Sequence, residues 1–350
     1  MPGPPPAVAA VRVAVRQALT GGPLRAERVP PRPGPQPGAP LLLVACSGGA
    51  DSLALAAGTA FVAPRLGWAA GAVVVDHGLQ AGSAEVAEAA AARCRDLGLD
   101  PVEVVRVVVG ASGAGPEGDA RRARYAALAS CADRVGARAV LLGHTLDDQA
   151  EQVLLGLVRG SGARSLAGMR THRVVRGGAG DGAPHMLLVR PLLGVSRAQT
   201  AQACAELGLE PWQDPHNEDH RFTRVRARRG LADLERDLGP GVVAGLARTA
   251  SLLQDDADAL DTTAGTAYLA LGPPPWAVTD LRQHPRAVRT RLWRRLALDA
   301  GSPGTDLTSD HLLAVDGLVT AWRGQGPLHL PGGVRASRTG ERVAVRGPRS

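Results

Sequence analysis

The sequence predicts an α/β protein: an open, doubly wound parallel sheet followed by a smaller helical domain and a short β-like C-terminal tail. Three observations predict it. Strand-like and helix-like periods alternate four times between residues 41 and 158, the rhythm of parallel strands joined by crossover helices packed on both faces. A glycine turn, Ser47-Gly48-Gly49-Ala50-Asp51-Ser52, stands between the first apolar strand and the first apolar helix, where open sheets of this kind bind ligands. After Phe222 the strand signals stop and helical periods take over, until the tail "GPLHLPGGVRASRTGERVAV".

Taken in order, Ala7 to Leu19 reads as a short amphipathic helix, and a Gly/Pro-rich linker covers 21–40. Leu41 to Ala45 is a buried strand and Leu53 to Phe61 a helix. Ala70 to Val75 is the second strand, Ser83 to Leu97 a helix opened by a serine cap, and Val102 to Val109 the third strand. Asp119 to Val135 is helical, Ala139 to Leu142 a strand and Asp147 to Val158 a helix. Residues 171–186 are Gly-rich and expected as a flexible loop before a fifth strand, Met186 to Val189. Leu231 to Leu271 and Pro285 to Asp299 are helical by period, and no internal repeat is seen. The expected organisation is an N-terminal helix and linker (1–40), a catalytic domain (41–229), a helical domain (230–300) and a short C-terminal segment (301–350).

At 350 residues and 45% hydrophobic content the chain can fill a real core. No uncharged apolar run of about 18 residues and no secretory pattern at Met1 to Ala10 is found, so a soluble cytoplasmic protein is expected, with no membrane partner. Cys46, Cys94, Cys131 and Cys204 are far apart and form no CxxC pair, which argues against a zinc ribbon, a cluster or a disulfide framework. Forty basic against thirty-three acidic residues give +7, and every one of the forty is arginine. Part of that excess is the coding bias of an Ala/Gly/Arg/Pro-rich chain. The absence of lysine excludes a Walker A loop, a protein kinase and a Schiff-base enzyme, each of which needs a lysine at the reacting group.

A glycine turn running into a helix N-terminus offers free N–H groups and a positive dipole end to an anion. Ser47, Gly48, Gly49, Ala50, Asp51 and Ser52 suit a phosphate, with the glycines allowing close approach and the serines donating hydroxyl hydrogen bonds. Asp51 would repel that phosphate unless a cation lay between them, and a magnesium ion resolves the conflict. The local sequence equally allows a helix capped by serine after a plain Gly-Gly turn.

The turn has the form of the SGGxDS loop of the N-type ATP pyrophosphatases, which bind ATP and transfer AMP. "VVVDHGLQ" (73–80), "EGDARRARYAAL" (117–128), "LGHTLDDQAEQVLLGLVRGSGARSLAGM" (142–169), "RPLLGVSR" (190–197) and "DPHNEDHRFTRVRARRGLADL" (214–234) resemble, in order and spacing, the successive blocks of the tRNA(Ile)-lysidine synthetases. The resemblance covers about residues 41 to 234 and extends loosely beyond. It implies an enzyme that adenylates the wobble cytidine of tRNA(Ile) bearing a CAU anticodon, releases pyrophosphate, and lets free L-lysine displace AMP to form lysidine.

On that resemblance the Ser47 to Ser52 loop cradles ATP, Asp51 lies near magnesium, and Asp76 and His77 reach the nucleotide from the end of the second strand. Arg124 is implied as the phosphate clamp of adenylation, its forked guanidinium suiting an α-phosphoryl group. The family's lysine site maps onto His144, Asp148 and Glu151; the imidazole or a carboxylate could take the proton that the amine loses. Asp148 and Glu151 share one helix face, yet Thr145 with Asp148 also matches a capping box, in which each acid would add about 0.3–1 kcal/mol. Both readings stay open on sequence.

The tRNA-facing residues are expected to be Arg159, Arg224, Arg226, Arg228 and Arg229, since phosphate contacts need charge rather than sequence. A second run, "RQHPRAVRTRLWRR", adds six arginines that fit either RNA contact or a solvated helix face. Val225 stands where the family commonly has asparagine, and Gln80 where it often has arginine. A sulfur-transfer enzyme on tRNA would need cysteines to carry sulfur or hold a cluster, against which their isolation speaks, with Cys46 beside the turn the one residue that keeps it open; an amidating synthetase would need an ammonia source. A non-catalytic nucleotide-binding module would have no use for Arg124 beside the Asp148/Glu151 pair. Monomer and homodimer both remain open.

Overall fold

The computed structural model describes residues 3–27, 38–78, 82–108, 110, 116–160, 162–176, 185–213, 221 and 223–348. The chain divides into two compact units, Met1–Ser251 and Leu252–Ser350.

In chain order the first unit contains α1 (Pro6–Thr20), β1 (Leu41–Ala45), α2 (Ala50–Val62), β2 (Ala69–Asp76), α3 (Ser83–Asp96), β3 (Val102–Arg106), α4 (Pro116–Arg134), β4 (Ala137–Leu142), α5 (Leu146–Val158), α6 (Ala163–Leu166), β5 (His172–Arg176), β6 (His185–Val189), α7 (Arg197–Glu206) and α8 (Thr223–Leu238). Its six-stranded sheet runs β3-β2-β1-β4-β6-β5, parallel except for the β5 edge. The chain winds outward from β1 through β2 to β3, then returns to the other side of β1 as β4. The switch point therefore lies between β1 and β4, and the segments leaving both strands meet there.

The strands are apolar throughout because both faces are covered. Leu42 and Val44 of β1 enter a cluster with Val11, Leu53, Leu55, Cys94 and Cys204, whereas Leu43 and Ala45 enter another with Leu128, Cys131 and Leu188. All four are 4% exposed or less, and burying each leucine or valine contributes about 1.5–3 kcal/mol. The N-terminal helix joins the first of these layers: Val8, Val11, Val15 and Leu19 form one buried stripe of α1 packed toward α2 and α7.

Three local expectations are corrected, and one helix was not foreseen. Ser83 is the first helical residue rather than the cap, a place taken by Gly82 (φ 81°), and the Ser83 hydroxyl instead hydrogen-bonds Asp76. The third strand stops at Arg106, because its neighbour β2 ends at Asp76, opposite Arg106. The expected loop over 171–186 contains β5, paired antiparallel to β6; residues 177–184 lie outside the described residues. The segment Arg197–Glu206 is a helix with a capping box, Ser196 with Gln199, that its alanine-rich sequence conceals.

α9 (Val242–Ala270) runs across the unit boundary in sequence. The second unit adds β7 (Trp276–Ala277), α10 (Val278–Arg282), α11 (Arg286–Asp299), α12 (Ser309–Thr320), β8 (Leu328–His329), β9 (Arg335–Thr339) and β10 (Arg342–Arg346). The β-like tail thus forms an antiparallel sheet, β7-β10-β9-β8, over a core of Trp276, Leu281, Leu292, Trp293, Leu318 and Val343. Inside it the Arg289 guanidinium donates two hydrogen bonds to Asp316, at 2.7 and 2.8 Å, and the Trp293 indole donates a third at 3.1 Å. The arginine run around Trp293 is largely spent inward: Arg282 donates to the Val319 carbonyl, Arg291 to Asp261, and Arg294 to the carbonyls of Gly304 and Leu307. No helix of the described residues is long and apolar enough to cross a membrane.

Candidate active site

Residues 46–49 leave β1 and bend straight into α2. Gly48 lies in the left-handed region (φ 83°), and its carbonyl accepts from the Trp212 N–H at 2.9 Å. Ser52 ties the turn together: its hydroxyl donates to the Gly49 carbonyl at 2.9 Å and accepts from the Ser47 N–H at 3.1 Å, with the Ser47 hydroxyl 3.2 Å away. Gly49 occupies the cap of α2 and provides no side chain to cover the first N–H groups. Those donors and the positive helix end stay available to an anion. Ser47 is exposed and Ser52 buried, so of the two hydroxyls Ser47's faces outward while Ser52's shapes the loop.

The segment leaving β4 packs directly on this turn, since a Cβ on Gly143 would lie 3.0 Å from the carbonyl carbon of Asp51. Next come His144 and then Thr145, the cap of α5. The two sequence readings of Asp148 turn out to be compatible, because a carboxylate has two oxygens. Oδ2 closes the capping box, accepting from the Thr145 N–H at 2.8 Å and its hydroxyl at 3.0 Å, while Oδ1 accepts from Arg197 at 2.9 Å. The same Arg197 nitrogen donates to Glu151 Oε1 at 3.2 Å, and Arg228 donates to that oxygen at 3.0 Å. Glu151 is only 3% exposed. Asp147 accepts from the Arg197 N–H at 2.8 Å, which clasps the starts of α5 and α7 together.

Arg197 also lies 3.7 Å from Asp51, so one guanidinium links the glycine turn to both acids of α5. Asp51 accepts from the Thr200 hydroxyl as well. Burial pushes the Asp51 carboxyl up, Thr200 and Arg197 work against that, and the nearby charges of Asp148 and Asp147 add to it.

Across the sheet edge the sign of the charge reverses. Arg124 on α4 has no carboxylate or hydrogen-bond partner among the described residues, and its surroundings are Tyr125, Arg121 and Arg224. Burial lowers its proton affinity, and the two arginines add to the effect. It acts on both His77 and His144. Burial first, and then Arg124, lowers His77, whose Nδ1 is buried with no hydrogen-bond partner among the described residues. Asp76 is spent on its own turn, accepting from the Gly78 N–H at 2.9 Å, and that bond above all holds its carboxyl below the usual range.

Gln149, between the two acids on α5, clamps the following loop. Its amide donates to the Met169 carbonyl at 3.1 Å and accepts from the Met169 N–H at 2.7 Å. Gly168 turns there with φ 64°, and a Cβ on it would meet the Gln149 side chain at 2.7 Å. Gly168→Ala is expected to destabilise the protein by about 1–3 kcal/mol through left-handed strain and loss of the clamp, read as a lowered thermal midpoint. Arg159, Arg226 and Arg229 are exposed, Arg224 is half-buried, and Arg228 is turned toward Glu151. Val225 is buried with Ala227 and Leu231 on α8, so an apolar residue suits its place. Gln80 and residues 214–220 lie outside the described residues.

Comparison with known proteins bears on this arrangement. A family described as the PP-loop domain matches residues 32–235, and one described as the TilS substrate binding domain matches 277–343. A tRNA(Ile)-lysidine synthase of Thermobifida fusca is 54% identical, covering 99% of this chain and 99% of its own. One of Streptomyces coelicolor is 52% identical, covering 98% and 99%. The chain belongs to the tRNA(Ile)-lysidine synthase family. Among solved structures, the U34-tRNA thiolase NcsA from Methanococcus maripaludis with its [4Fe-4S] cluster superposes with a TM-score of 0.55 at 18% identity, over 71% of this chain and 80% of that one. That likeness is one of fold.

Family membership extends the resemblance of residues 41–234 to nearly the whole chain, including the second unit. Two residues of this cluster escaped the sequence reading: Arg197, which joins Asp51, Asp148 and Glu151, and Arg190, which contacts His144. Both bracket the RPLLGVSR block, and that position was their only signal, because arginine is everywhere in the chain.

Proposed function

We propose that this enzyme ligates free lysine to carbon 2 of the wobble cytidine of tRNA(Ile) with a CAU anticodon, through an adenylated tRNA intermediate, consuming ATP to AMP and pyrophosphate. One observation carries the residue assignment. Two groups of opposite character act on His144: Arg124, with no carboxylate partner among the described residues, and Asp148, which with Glu151 holds guanidinium groups. The first suits a phosphoryl group and the second an ammonium.

In this reading Ser47 and the N–H groups at the start of α2 receive the ATP phosphates, with Asp76 and His77 at the nucleotide. Arg124 steadies the charge that develops at the α-phosphorus. A magnesium ion would be held by Asp51 beside the ATP phosphates, and it would offset phosphate charge. Among the described residues no three acids, histidines or cysteines converge on a metal site. The lysine ammonium takes the place beside Asp148 and Glu151 that Arg197 fills in the free protein. Arg159, Arg224, Arg226 and Arg229 meet tRNA phosphates, and the reaction takes place in the cytoplasm.

Incubation with labelled lysine, ATP and tRNA(Ile) bearing CAU tests the proposal. Lysine is expected in the tRNA, with AMP and pyrophosphate formed in equal amounts. Absence of lysine incorporation, with a sulfur donor active instead, would overturn it.

A further inference from the structure

Arg190 directly follows β6 and is 3% exposed. Its Nη1 donates to the Arg170 carbonyl at 2.7 Å, it hydrogen-bonds Tyr125, and its Nε donates to Nδ1 of His144 at 3.2 Å. A guanidinium has donors only, so the Nδ1 that receives it must present a lone pair. A neutral imidazole with a bare Nδ1 carries its proton on Nε2. The groups acting on the ring are Asp148 from α5, Arg190 from the end of β6, and Arg124 and Arg121 from α4. Burial, then the three arginines, drives His144 down to about 3 against the opposing effect of Asp148, so the ring stays neutral under working conditions.

From this geometry we infer that Arg190 is a positioning residue that fixes His144 as a hydrogen-bond donor: His144 holds a substrate oxygen through Nε2–H and is not the base of the lysine step. The inference rests on the lysine-site reading above and sharpens it, since the imidazole and the acids were equal candidates for the proton. The ammonium's proton passes to a carboxylate of the Asp148–Glu151 pair. The freed nitrogen then bonds to carbon 2 while the carbon–oxygen bond to AMP breaks, its electron pair leaving with AMP.

Two measurements test it. In protein labelled with ¹⁵N-histidine, the ring identified by its loss in His144→Gln should show a bare Nδ1 and a protonated Nε2, unchanged between about pH 5 and 8. In Arg190→Met, which removes the donor facing Nδ1, the same ring should lose its single tautomer and show the proton shared between Nδ1 and Nε2. A proton on Nδ1, or titration in the wild type, overturns the inference without reference to any variant's folding. Single-turnover transfer of lysine to pre-formed adenylated tRNA is the second measurement. His144→Ala should lose about 100-fold or more, as for removal of one charge-stabilising donor. His144→Gln, which keeps an N–H at the far end of the side chain, should lose no more than about tenfold and keep the wild-type pH profile. Equal losses in both variants, with the acidic limb of the profile gone, would make His144 the base. If Asp148→Asn destroys lysine use and His144→Ala changes nothing, this inference alone fails. If neither affects lysine KM or transfer, the lysine-site reading falls and takes this one with it.

Discussion

Asp148→Ala is expected to abolish lysine use while leaving adenylation of the tRNA largely intact. The carboxylate sits at the start of α5, and its Oδ1 is engaged by the Arg197 guanidinium at 2.9 Å. Removing one partner of a hydrogen-bonded, partly buried charge pair costs about 2–5 kcal/mol, equivalent to roughly 30- to 5,000-fold in kcat/KM for lysine. The capping box goes with it, adding about 1 kcal/mol of instability that a thermal melt separates from the catalytic loss. The measurement is twofold: pyrophosphate release with tRNA and ATP alone, and lysine transfer. If pyrophosphate release falls first and furthest, Asp148 serves the nucleotide rather than the amine.

Asp316→Ala should produce the largest loss of stability in the second unit, about 3–5 kcal/mol, because it leaves the Arg289 guanidinium buried without a counter-charge. Arg289 and Asp316 are 8% and 4% exposed. Burial alone would push the Asp316 carboxyl up, but the bonds from Arg289 and Trp293 outweigh it and hold the group below the usual carboxylate range. Its folded-state proton affinity is thus lower than in the unfolded chain. The stabilisation is full above the ordinary carboxylate range and drains away as pH falls through and below it. Urea unfolding followed by Trp fluorescence at neutral and acidic pH checks both points: the variant should be weakened most at neutral pH, and the gap to wild type should narrow in acid. A gap independent of pH would show that lost packing, not charge, sets the effect.

What could be read from the sequence followed the strength of each physical signal. β1 was legible almost to the residue, since five apolar residues before a glycine turn leave few alternatives. The family blocks located His144, Asp148 and Glu151, and the structure places His144 just ahead of the α5 cap and the two acids in the first turns of α5. α7 was not legible, as "RAQTAQACAE" carries no apolar stripe and only Ser196 with Gln199 marks its start. Arg197 and Arg190 were hidden by composition: in a chain whose forty cationic side chains are all arginine, one more conveys nothing about a partner fifty residues away. The same bias made the run around Trp293 look like a surface, while several of its guanidiniums turn inward to carbonyls and carboxylates that sequence cannot pair.

β1 places consecutive side chains in opposite layers, so the glycine turn is tied to a parity rule. Deleting or inserting one residue between 41 and 45 would exchange the Leu42/Val44 set with the Leu43/Ala45 set and reverse which layer each leucine fills. The turn that follows would then emerge on the wrong phase of the pleat. Length variation in relatives of this enzyme should therefore gather in the segments between sheet elements. The five positions ahead of the turn should tolerate exchanges of apolar shape, but never a change in number.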